Sequence, residues 1–163
     1  IFAPMGKLAE RLADERRSGV YRLEATDALE EAAAINGFPI AHVRLDDVRS
    51  DQLREACAGV LSPRTSASWP SFAAALADPA WSPAPGHVLL FSGFEGLVRR
   101  EPDALDPLLA ALQAAATRRR LNGSKFFAAF LDPTRTLSLD PLYDRRRHLS
   151  TANARVIETG GAA

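Results

Sequence analysis

Leu61 to Trp81 reads LSPRTSASWPSFAAALADPAW, an irregular loop followed by a short helix and a stop. Ser62-Pro63-Arg64-Thr65-Ser66-Ala67 carries too much proline and hydroxyl for a helix. Ser68 is placed to cap one, its side-chain oxygen accepting a first-turn backbone N–H. Pro70 fits that turn because N–H groups there lack partners anyway. Trp69, Phe72 and Leu76 fall at i, i+3 and i+7, one face of a helix. Asp78-Pro79 ends it, and Trp81 follows just beyond.

Upstream, Met5 to Arg17 reads as a marginal helix or a frayed polar arm, and Gly19 to Leu23 as a short strand. Asp27 with Glu30 resembles a capping box, Ala28, Leu29, Ala32, Ala33 and Ile35 continue the helix, and Asn36-Gly37 supplies a left-handed stop. Pro39 to Leu45 is a second strand. Ser50 is expected to cap the next helix, where Leu53, Ala56, Cys57 and Val60 share a face. Downstream, His87 to Phe91 is a continuous apolar strand, suited to the middle of a parallel sheet. Ser92 and Glu95 frame a capping box for a short helix toward Arg100. Asp106-Pro107 opens a longer helix with Leu108, Leu109, Leu112, Ala115 and Ala116 inward, ending in Arg118 to Arg120 and Asn122-Gly123. Phe126 to Leu131 is the last strand. Strands alternating with helices predict an α/β fold with a parallel sheet.

A chain of 163 residues suits one domain with appendages. Residues 1–18 read as an N-terminal arm, helical in part, 19–132 as the α/β domain, and 133–163 as a partly disordered tail in which Leu142, Tyr143 and Val156 could dock. Twenty basic and 20 acidic residues cancel, so bulk charge selects no partner. The single cysteine, Cys57, excludes an internal disulfide and suits a reducing compartment. No apolar run has the length of a membrane span and no signal-peptide order is visible, so the expectation is a soluble cytoplasmic protein. The first residue is Ile rather than Met, which reads as a trimmed or vector-derived start.

The loop, polar cap, Trp69, Phe72, Leu76 and trailing Trp81 together resemble the barstar family, small α/β inhibitors of secreted or toxin ribonucleases, over roughly Pro39 to Leu131. The resemblance implies a small parallel sheet of three to four strands with a single layer of helices, plus an extra N-terminal strand–helix unit here. It also implies that loop and helix plug a nuclease site, with carboxylates mimicking RNA phosphates. Carried over position by position, the partner surface is Thr65, Ser66, Ala67, Ser68, Trp69, Pro70, Ala73, Ala74, Ala77, Asp78 and Trp81. The family pattern has loop aromatics, a Gly, an Asn and two acidic residues four positions apart. Here Thr65 and Ser66 replace the aromatics, Ala67 the Gly, Ser68 the Asn, and Pro70 and Ala74 the acids, leaving Asp78 alone. The implied function is non-catalytic protein binding, as an inhibitor or immunity-type partner of a ribonuclease or toxin whose usual acidic residues are replaced. The alternatives are the same scaffold turned to a non-nuclease protein, or a nucleic-acid-associated protein using its Arg clusters.

Other chemistry is sparse. His42, His87 and His148 are scattered, no metal-ligand spacing occurs, and Cys57 lies on an apolar helix face, so no enzyme, metal or cofactor is expected. Arg99-Arg100, Arg118 to Arg120 and Arg145 to Arg147 lack interleaved aromatics and read as a solvated basic face, with phosphate contact at most non-specific. Trp69, Phe72 and Trp81 read as core by spacing, although a Trp beside a polar loop is also an interface anchor.

Overall fold

The computed structural model describes residues 7–82 and 84–143. Met5, Arg145 to Arg147, His148 and Val156 lie outside them. Four parallel strands, β1 (Gly19–Leu23), β2 (Ile40–Arg44), β3 (Gly86–Ser92) and β4 (Lys125–Leu131), form one sheet in the order β1-β4-β3-β2. The continuous apolar runs His87 to Phe91 and Phe126 to Phe130 are the two central strands, where both faces must be covered.

Alternate residues of those strands serve two cores. Leu89, Phe91, Phe126, Ala128 and Phe130 pack beneath α3 (Leu53–Leu61), α4 (Trp69–Ala77), α5 (Glu95–Arg100) and α6 (Asp106–Leu121). Val88, Leu90, Phe127 and Ala129 pack beneath α1 (Lys7–Leu12) and α2 (Asp27–Asn36). A single hand of crossover accounts for the split. The steps β2 to β3 to β4 run one way across the sheet, while β1 to β2 runs back across all of it. The same hand therefore puts α2 on the opposite face. The expected single layer of helices covers one face, and the added N-terminal unit covers the other.

That unit is tied down. Leu8, Ala9 and Leu12 are buried against Leu29, Ala32 and Ala33, and Asn36 Nδ2 donates to the carbonyls of Ala9 and Ala32 at 3.0 Å each. Of the stretch read as a marginal helix or a frayed arm, Lys7–Leu12 is helical and the helix breaks after Leu12. Asp14 accepts the Arg16 N–H at 3.0 Å and starts a separate 3-10 turn, Glu15–Arg17. Leu142 is buried as expected of a docking residue; its N–H donates to Arg22 O at 3.0 Å, beside the outer edge of β1.

Three expected caps are differently built. Asp27 is the first helical residue, after Thr26, and makes no cap hydrogen bond. Ser50 opens a 3-10 turn, Ser50–Gln52, and donates to Glu101 at 2.8 Å, while α3 begins at Leu53. Ser92 turns from α5 to His42. For Ser50 and Ser92 another polar partner takes the side chain that the spacing assigned to the helix. Gly37 is left-handed with φ 73°, as the Asn-Gly pair predicts. Among the described residues no helix is long and apolar enough to cross a membrane.

Where β3 begins, Gly86 lies directly over the Phe38 ring, and a Cβ there would sit 2.5 Å from Phe38 Cζ. Phe38 is buried, so it has little room to yield. Gly86→Ala is expected to lower the unfolding free energy by about 1–3 kcal/mol, with part returned by adding Phe38→Leu. Urea denaturation of the single and double variants checks this; an unchanged midpoint for Gly86→Ala would contradict the close approach.

Candidate functional site

The segment from Leu61 to Trp81 leaves the layer of helices and returns to it, pinned at both ends. At its start Ser62 adopts a left-handed φ of 48° that stops α3, and Arg54 Nε donates to Ser66 O at 2.8 Å. Ser68 caps α4 as the sequence predicts. The Ser71 N–H donates to Ser68 Oγ at 3.2 Å, and the Ser68 N–H donates back to Ser71 Oγ at 3.0 Å. Phe72 and Leu76 are fully buried, and Trp69 stands edge-on to Phe72 with centroids 5.5 Å apart.

The far end is closed by a residue that the sequence reading put in solvent. Arg119 of α6 is 3% exposed. Its Nε donates to Leu76 O at the C-terminal end of α4 and its Nη2 to Asp78 O just beyond it, both at 3.1 Å, the second carbonyl also accepting the Trp81 N–H at 2.9 Å. The same guanidinium lies 5.7 Å above the Trp81 ring. Trp81, in the 3-10 turn Pro79–Trp81, donates its indole N–H to Leu61 O at 2.7 Å and joins the two ends of the segment. Burial pushes the Arg119 pKa down, opposed by the Asp78 carboxylate. Burial, then Arg119, push His87 down to about 4; its Nδ1 lies 2.8 Å from Ser82 Oγ and its ring 4.6 Å from Trp81.

Of the residues assigned to the partner surface, Thr65, Ala67, Ser68, Pro70, Ala74 and Asp78 are exposed. Ser66, Trp69 and Trp81 are half-buried, and Ala73 and Ala77 are buried. Three residues of α6 share the face and were missed: Ala114, Arg118 and Leu121. Their signal was the register of α6. Leu108, Leu112, Ala115 and Arg119 recur along one helical stripe and turn inward together, which turns Arg118 outward. Arg118 to Arg120 is therefore not a continuous basic face, since Arg119 is buried and Arg120 Nη1 donates to Ser18 O at 3.4 Å.

Cys57 is buried and its thiol is pushed up to about 12 by that burial. His42 Nε2 and Ser92 Oγ lie 2.8 Å apart, with burial, then Arg44, lowering the His42 pKa. Among the described residues no three His, Cys, Asp or Glu side chains are grouped to hold a metal.

A family model described as Barstar (barnase inhibitor) matches residues 38–130, more than half of the chain. The chain belongs to the barstar family. The match begins at Phe38, so α1, β1 and α2 lie outside the barstar portion and form its added layer. No curated protein and no solved structure matches the chain. Barstar-family proteins are inhibitors, and the described face lies within the matched span.

Two outcomes follow from the clamp. Arg119→Met is expected to cost about 1–3 kcal/mol, because the buried Leu76 carbonyl loses its donor while Asp78 O keeps the Trp81 N–H. Arg119→Lys should recover less than half, since one ammonium cannot reproduce the fork. Urea unfolding within about 0.5 kcal/mol of wild type for Arg119→Met would remove the clamp from the account. For His87 the folded pKa of about 4 lies below the ordinary 6.5, so the unfolded chain takes up the proton first as pH falls. The contribution of neutral His87 is complete above about 6.5 and is lost toward about 4. Denaturation midpoints should fall through that window in the wild type and fall less in His87→Gln.

Proposed function

We propose that this barstar-family domain is a non-catalytic protein-binding module of inhibitor or immunity type, docking through its 62–68 loop and the outward face of α4. The observation that carries the reading is the double pinning of the Leu61–Trp81 segment by Trp81 and Arg119. It holds Thr65, Ala67, Pro70, Ala74 and Asp78 outward on a rigid support. A preorganised surface loses little freedom on binding, which is what a plug requires. Trp69, half-exposed at the helix start, is the anchor of this face. Trp81 is the brace behind it, its indole N–H already engaged with Leu61 O. We place the domain in the cytoplasm, in keeping with its single, buried cysteine.

The target class suggested by the family is a ribonuclease or toxin, and the charge on this face bears on which kind. Pro70 and Ala74 stand at the positions where the family pattern has acids. A basic, phosphate-holding cleft closed by them would bury arginines and lysines without carboxylates, at a cost of several kcal/mol. A partner less basic than a barnase-type cleft fits this face better. Direct nucleic-acid binding is disfavoured, because the Arg118 to Arg120 triplet is split between surface and interior.

Calorimetry against a barnase-type ribonuclease tests the reading. The unmodified domain is expected to bind more weakly than about micromolar, and Ala74→Asp to improve this by roughly tenfold or more. Nanomolar binding by the unmodified domain would overturn the electrostatic argument. No effect of the new carboxylate would remove α4 from the docking surface.

A further inference from the structure

We propose that the seam between α4 and α6 receives an acidic amphipathic helix of the protein partner, with Arg118 taking its carboxylate. The proposal rests on the reading of the α4 face as a protein-binding surface and specifies the chemistry of what that surface meets.

Two depressions lie in line along the seam. One, of about 190 Å³, is lined by Pro70, Ala73, Ala74, Ala114 and Arg118. The other, of about 460 Å³, continues past Ala74, Ala77 and Asp78 to Leu121 and Asn122, again with Arg118 on its wall. Pro70 to Asp78 spans roughly 12 Å of helix axis, which matches two turns of a partner helix. The lining carries mostly methyl groups and a proline ring, so the volume is left for apolar side chains supplied at i, i+3 or i+4, and i+7. Leu121, 79% exposed at one end, offers an apolar contact of its own.

Charge selects the occupant. Arg118 is exposed, borders both depressions and makes no ion pair among the described residues. α4 contains no acidic residue, and Arg64 adds a second exposed cation in the loop before it. Asp78 is the one acid on the seam, and its Oδ1 already accepts the Ala80 N–H at 2.9 Å. A guanidinium beside an apolar floor favours a carboxylate that arrives on an apolar helix, because closure excludes water from the pair. A cationic helix would place like charges together in the same dry space.

Two synthetic helical peptides with the same leucines, one carrying Glu and the other Lys at its polar positions, are titrated into the ¹⁵N-labelled full chain. The Glu peptide is expected to shift the amides of Ala74, Ala114 and Arg118. It should bind about tenfold more tightly than the Lys peptide, and Arg118→Glu should reverse the preference. Arg118 is exposed, so the variant keeps the fold; its melting temperature verifies this. Shifts confined to Thr65–Ala67, equal affinity for the two peptides, no shift with either, or a second copy of the chain occupying the seam in sedimentation would each overturn the proposal. These outcomes leave the protein-binding reading standing, since its own test is the response of ribonuclease affinity to Ala74→Asp.

Discussion

A helix that ends inside the molecule, as α4 does at Ala77, leaves a buried carbonyl to be satisfied from outside it, and here that carbonyl is Leu76 O. Arg119 answers that constraint. Its planar guanidinium donates to Leu76 O and Asp78 O while its face covers Trp81. A charge so deeply buried is tolerated because it is shared between carbonyls at the negative end of a helix dipole and an aromatic face. Lysine has neither the fork nor the flat face. Through this one side chain the end of α4, the turn carrying Trp81 and the C-terminal part of α6 become a single rigid body.

That rigid body gives an alanine-rich helix a defined outer surface. α4 contributes Phe72 and Leu76 to the core and mainly small side chains to the outside, so its shape depends on the neighbours that hold it. The stacked Phe91 and Phe130 rings, 4.6 Å apart, with Phe94 edge-on to Phe130, stiffen the sheet under the helices. On the other face the N-terminal unit seals Val88, Leu90, Phe127 and Ala129. Without it those side chains of the barstar portion would meet water, which explains how central strands apolar on both faces can be stable here.

The loop and α4 lie within the span that the barstar family model matches, and the docking face proposed above carries Pro70 and Ala74 rather than carboxylates. Trp69 remains beside the loop and Ser68 still caps the helix. The surface beside α4 also takes its character from α6, through Arg118 and Leu121.

Much of this was legible in the chain itself. Periodicity placed the four strands and the main helices, because a strand buried on both faces must be continuously apolar and a helix packed on one side must repeat every three to four residues. The cap of α4 was legible because Ser68 has no competing partner nearer than Ser71. Caps failed where one existed: Ser50 found Glu101 and Ser92 found His42, residues about fifty positions away that only the fold brings close. The two-sided sheet depended on the strand order, which places the return from β1 to β2 across the whole sheet and α2 behind it. The division of Arg118, Arg119 and Arg120 into one surface cation, one buried clamp and one partner of Ser18 depended on where α4 ends against α6. Local sequence determines which residues can form a helix and which of its faces is apolar. Which of three consecutive arginines meets a buried carbonyl is decided by the packing of two helices whose contacting residues, Leu76 and Arg119, lie 43 positions apart, and no local pattern encodes that distance.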